Sequence, residues 1–172
     1  TYINKNKAIR ARERIEKKYK KRFYPGLFFS GRISSYRRKV LHELFSQGTS
    51  YPSTPHIKYF TRIDDMLKDK KQKRIPIFEL YIKQEKKWLY SSPMRTLLSI
   101  EKGYIPINLG TFKDHDINKI SIQLKNNIQP NELSFFIQTL DIKNEIKKLN
   151  ISIDKHNKKQ DLILNEFSKS LD

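Results

Sequence analysis

Residues 1–42 carry 14 Lys and Arg against 2 Asp and Glu, a net of +12, whereas residues 43–172 carry 22 against 16, a net of only +6. Two thirds of the chain's +18 excess therefore sits in its first quarter. Such segregation restricts the folds open to the chain. Like charges repel when crowded together, so this segment is best accommodated where it can face a polyanion. Nucleic acid and an anionic membrane surface are the two candidates, and counterions released from the polyanion would supply affinity.

Lys5–Phe23 contains neither Gly nor Pro, and Ala8, Ala11, Ile15, Tyr19 and Phe23 recur every three or four positions. That spacing predicts a helix with one narrow apolar stripe, stopped by Tyr24-Pro25-Gly26. The rest of the cylinder offers Arg10, Arg12, Arg14, Lys17, Lys18, Lys20, Lys21 and Arg22 to phosphates. Residues 24–42 mix aromatics, glycines, small hydroxyls and arginines without a clear period, as a segment threading along RNA would. Leu27, Phe28 and Phe29 are expected to anchor that segment to the core, leaving Arg32, Arg37, Arg38 and Lys39 for phosphate contact. Residues 1–42 are thus expected to form a basic helical arm with an RNA-threading segment.

Residues 43–129 are expected to be a mixed, β-rich core. A short helix is predicted over Tyr36–Phe45, followed by a loop at Ser50–His56. Another helix is placed in 60–72, opened by Asp64 and Asp65. The basic run Lys68–Arg74 suits RNA and plain solvent equally. Ile75–Lys83 and Lys87–Tyr90 flank a polar tip and predict a hairpin, with Phe78, Leu80 and Ile82 facing Trp88 and Tyr90. Gly103–Leu109 and Lys119–Leu124 are further strand candidates.

Pro130-Asn131-Glu132 opens a helix at the start of the last segment, 130–172. From Ile142 through Ile146, Leu149, Ile153, His156, Gln160 and Ile163 to Phe167, residues follow a 4-3-4-3 spacing, a heptad-like seam. One long helix is expected, or two joined near 154–159, with Ile142, Ile146, Leu149 and Ile153 docking on a neighbouring protein or on RNA-bound helices; a seam packed within the chain itself fits the spacing equally. The fold class read from these patterns is α+β: a basic N-terminal helical arm, a small antiparallel β-rich core and a long C-terminal helix.

Catalytic apparatus is not legible. The chain has no cysteine, which removes disulfides, thiolate zinc sites, iron–sulfur clusters and Cys nucleophiles. Its five glycines are scattered, so no phosphate loop forms, and its four histidines lie far apart. Asp114-His115-Asp116 reads as a charged turn. No catalytic residue, metal, cofactor or small-molecule substrate is expected, and no apolar stretch is long enough to span a bilayer. No portable RNA-binding signature occurs either.

Ile, Lys, Asn, Phe and Tyr supply 78 of the 172 residues while Ala appears twice, which points to an AT-rich genome such as an organelle's. A basic chain without chemistry or a portable module is the kind of protein that large RNA–protein assemblies contain. The sequence therefore leads to the expectation of a structural RNA-binding protein of a mitochondrial ribosome, with ribosomal RNA and neighbouring ribosomal proteins as partners. A cytoplasmic ribonucleoprotein is the other location considered. The alternative function is a peripheral scaffold subunit of a mitochondrial membrane complex docking on anionic lipid, which requires a wider apolar stripe than Lys5–Phe23 has.

Overall fold

The structure, a computed structural model, describes residues 2–45, 58–60, 63–84, 86–87, 93–110 and 115–171. Among the described residues, five strands form one sheet: β1 (Arg22–Ser30), β2 (Lys58–Phe60), β3 (Arg74–Tyr81), β4 (Ile105–Leu109) and β5 (Ile122–Leu124). Their order is β2-β1-β3-β4-β5, and every neighbouring pair is parallel. The described residues also form seven helices: α1 (Lys5–Lys18), α2 (Ser35–Phe45), α3 (Ile63–Lys68), α4 (Pro93–Glu101), α5 (His115–Lys119), α6 (Pro130–Thr139) and α7 (Ile142–Lys169).

This is an α/β fold, and it corrects the expected antiparallel, β-rich core. Parallel neighbours need a crossover between them, and a helix lies between each pair of consecutive strands. Burial explains the choice. Every position from Ile75 to Tyr81 and from Ile105 to Leu109 is buried, so both faces of these strands are covered. β3, expected to head a hairpin, pairs in parallel with β1 and β4. Trp88 and Tyr90, its expected partners, lie outside the described residues, as do the 50–56 loop and Asp114.

The expected threading segment holds a central strand. Pro25-Gly26, read as a helix stop, falls where β1 takes three steps from Tyr24 to Leu27 while β3 takes two from Pro76 to Phe78. The bulge absorbs a Pro that cannot donate to the ladder and a Gly with no side chain to pack. Beyond it Leu27, Phe28 and Phe29 are 0–2% exposed, as the anchoring role requires. Leu27 and Phe29 join one apolar cluster with Leu41, Leu44, Leu133 and Ile137. Phe28 joins another with Ile15, Met66, Leu67 and Tyr104. Successive side chains of β1 thus feed different cores.

Nor is α1 a separate arm. Its Asn4 cap accepts the Lys7 N–H, and its Ala8 and Ile15 are buried at 1% and 2%. The C-terminal segment is two helices, broken at Leu140-Asp141 rather than near 154–159. Leu140 has extended backbone, and the Asp141 side chain accepts the Asn144 N–H at 2.7 Å to start α7. From there α7 continues without a break for 28 residues, about 42 Å.

Candidate nucleic-acid interface

Parallel strands give the sheet two distinct ends, and these sort the basic residues. At the amino end, the α1–β1 turn (16–22) and the α3–β3 turn (68–74) lie side by side. Together they hold ten Lys and Arg against Glu16 and Asp69. Two contacts lock them. The Arg22 N–H donates to Lys73 O at 3.1 Å, and the buried Lys21 ammonium donates to the carbonyls of Met66, Asp69 and Gln72 at 3.3, 2.6 and 2.8 Å. With Lys21 turned inward, Lys17, Lys18, Lys20, Arg22, Lys68, Lys70, Lys71, Lys73 and Arg74 remain exposed. Lys20 adopts φ 52°, a left-handed turn that lets β1 start directly below the helix end. Asp69 turns back to accept the Lys71 N–H at 3.0 Å, and the Arg74 guanidinium lies 4.9 Å from the Tyr24 ring centroid. Burial pushes the Tyr24 phenol up, and Arg74 partly opposes that.

α1 extends this end across the molecule. It begins beside α7, where Lys5 pairs with Asp154 at 2.6 Å, passes Glu101 through Lys7 at 2.5 Å, and reaches the turn before β4. There Arg12 Nη1 donates to Gly103 O at 3.4 Å, and desolvation lowers the pKa of that guanidinium. Arg10 and Arg14 stay exposed. On the far side of α7, Lys119, Lys155 and Lys159 flank a cleft with Asp116. The Lys159 hydrogen bond, at 3.1 Å, holds the Asp116 carboxyl below the usual carboxylate range.

The expected phosphate-binding residues therefore divide. Arg10, Arg14, Lys17, Lys18, Lys20 and Arg22 share the amino end and face solvent. Arg32, Arg38 and Lys39 are exposed at the carboxyl end, the length of β1 away, about 27 Å for nine residues. Arg12, Lys21 and Arg37 are 9%, 4% and 8% exposed and serve the fold. Arg37 donates to Ile82 O at 3.0 and 2.9 Å and to Arg32 O at 2.7 Å. The 68–74 run, equally suited to RNA and solvent by its sequence, joins the amino end, and Lys119 and Lys155 come together at the α7 cleft without any sequence signal. The run itself was the available signal; only the fold places it beside 16–22.

The expected docking seam also belongs to the chain's own core. Leu149 and Ile153 are 6% and 0% exposed within it, and Ile142 and Ile146 are half-buried against it. Apart from Ile151, the exposed large apolar side chains of α7 lie further along: Leu162, Ile163, Leu164 and Phe167.

In open parallel sheets ligands bind at the carboxyl ends of strands where the connections diverge, here between β1 and β3. This chain fills that point itself. Arg95 donates to Ser30 O and stacks 5.5 Å from the Tyr81 ring centroid, while Tyr81 OH donates to Arg95 O at 2.8 Å. The Ser30 hydroxyl donates to the buried Glu79 carboxylate. Burial, with Glu79 close by, pushes the Tyr81 phenol well up. At Gly31, φ is +119°, and a Cβ would collide with the Arg95 guanidinium. Among the described residues no three His, Asp or Glu are grouped to hold a metal ion, and no helix is long and apolar enough to cross a membrane.

Comparison with protein-family models, with curated proteins and with solved structures finds no match.

Proposed function

We propose that this protein is a structural RNA-binding component of a large ribonucleoprotein, a mitochondrial ribosome, and that it works without catalysis. One observation carries the reading: two turns distant in sequence converge at the amino end of the sheet and present nine exposed cations. Lys and Arg on well-anchored turns are suited to phosphate, because the turns are ordered before the RNA arrives. Side chains plugging the β1–β3 switch point support the absence of a small-molecule substrate there. The AT-rich composition supports an organellar genome. Neighbouring ribosomal proteins are the proposed partners of the distal part of α7, where Leu162, Leu164 and Phe167 are 62%, 64% and 62% exposed.

Native lysate sedimented on a gradient, with and without ribonuclease, tests the assignment. The protein should travel with a large particle and leave it on ribonuclease treatment; a position indifferent to ribonuclease overturns the reading. With purified protein, log affinity for structured RNA should fall against log salt with a slope of roughly −0.7 to −0.9 per phosphate contact.

A further inference from the structure

We infer that the carboxyl end of the sheet holds a second RNA contact, of a different kind: a pocket that takes the base of an unpaired nucleotide. The inference rests on the RNA-binding reading and adds to it a site that senses a base rather than phosphates alone.

A cavity of about 530 Å³ opens between α2, the end of β4 and the β5–α6 turn. That volume lies within the range of small-ligand pockets. It opens on the carboxyl side of the sheet, the side on which open parallel folds take ligands, but beside β4 and away from the plugged β1–β3 switch point. The floor is apolar: Val40, Leu44, Leu109 and Ile128. The rim is polar, with the Tyr36 ring, the Asn126 and Asn127 amides, and Lys39 and Lys86. Glu43, the sole carboxylate among the described residues of the lining, lies 3.9 Å from Lys39. A flat apolar ring with hydrogen-bonding edges, attached to a phosphate, complements this lining. The floor and Tyr36 would take its faces, the amides its edge and the lysines the phosphate.

The wall is built before any ligand arrives. The Gly110 N–H donates to Leu124 O at 2.8 Å, joining the ends of β4 and β5, and Ile128 N–H closes a turn onto Lys125 O at 3.3 Å. Gln129 Nε2 donates to Asn127 O at 3.1 Å, and the Glu132 side chain accepts the Gln129 N–H at 3.0 Å. Gly110 has φ +83°, and the Asn126 amide occupies the space its Cβ would need. A pocket held this way loses little freedom on binding.

The test uses the full chain and three RNA hairpins: one with a single bulged adenosine, one with an abasic residue at the bulge, and one fully paired. The bulged hairpin should bind about tenfold more tightly than the other two, within the range for one stacked base. Val40→Trp, which fills the floor, should erase that preference while leaving the salt slope unchanged. Asn127→Ala, at an exposed position, should reduce the preference and guards against misfolding of the first variant. Equal affinity for all three hairpins, with steep salt dependence retained, overturns the pocket and leaves the RNA-binding reading standing. A preference that survives both variants also overturns the pocket. No binding to any hairpin overturns both readings.

Discussion

Ile3 and Asn157 hold each other by two hydrogen bonds: the Ile3 N–H donates to Asn157 Oδ1 at 2.9 Å, and Asn157 Nδ2 donates to Ile3 O at 2.9 Å. The carboxamide mimics a strand partner, satisfying both backbone groups of a residue that is 1% exposed. It ties the chain before α1 to the middle of α7, 154 positions later. Removing the amide strands a buried donor and a buried acceptor. Asn157→Ala should therefore destabilise by about 2–4 kcal/mol, measured by urea unfolding. Truncation of residues 1–23 should fail to give a cooperatively folded chain, since it removes Ile3, Ala8, Ile15 and the first two residues of β1. A truncated chain with an unchanged unfolding midpoint would refute this account of α1.

Charges adjacent in sequence should separate by function. Lys21→Met leaves three backbone carbonyls without the ammonium and should cost about 2–4 kcal/mol of stability. Lys17→Gln and Lys20→Gln, both at exposed positions, should stay within about 0.5 kcal/mol of the parent in stability. Each should make the salt slope of RNA binding shallower by roughly 0.7–0.9. The reverse pattern would remove the basis for the amino-end interface.

Alkaline pH should unfold the chain through its phenols. Tyr24, Tyr81 and Tyr104 all have raised pKa values, with burial the leading cause in each. For a group raised in the folded state, the unfolded chain ionises first. The stability contribution is complete below the ordinary tyrosine range near pH 10 and declines as pH rises through the folded values. Tyr104 offers the cleanest test, because its buried hydroxyl has no hydrogen-bond partner among the described residues. Tyr104→Phe should be neutral or stabilising at pH 7 and should flatten the decline above pH 10. Thermal melts between pH 7 and 11 decide the matter; identical alkaline profiles for the two proteins would contradict it.

Gly31→Ala should be among the costliest single-methyl additions. It forces an L side chain to φ +119° and drives its Cβ into the Arg95 guanidinium, which holds Ser30 O and packs on Tyr81. A loss of about 2–3 kcal/mol is expected from the backbone and the displaced arginine together. A double variant with Arg95→Ala should recover part of it, read as non-additivity in denaturant unfolding.

Local pattern alone determined much about this protein. Ile75–Lys83, Gly103–Leu109 and Lys119–Leu124 were legible as strands from their apolar residues, and Tyr36–Phe45 as a helix; β3, β4, β5 and α2 occupy these stretches, with bounds shifted by one to three residues. Asp64-Asp65 and Pro130 marked helix starts because a helix's first turn favours acids and tolerates Pro. The charge segregation was likewise fixed before folding. Strand partners were not legible, since pairing depends on crossovers and two-faced burial. The unbroken Leu27-Phe28-Phe29 run was a clue to a strand covered on both faces, masked by Pro25-Gly26, which proved to be a bulge. The helical spacing from Ile142 to Ile153 was real but mute about its partner, because an apolar seam looks the same whether it meets its own sheet or another chain. The basic residues show the same limit most clearly. Lys20 and Lys21 are adjacent in sequence, yet one faces solvent and the other caps three carbonyls. Tertiary structure decided which charges stayed outside, because burial of a cation depends on acceptors that the chain supplies some fifty residues away.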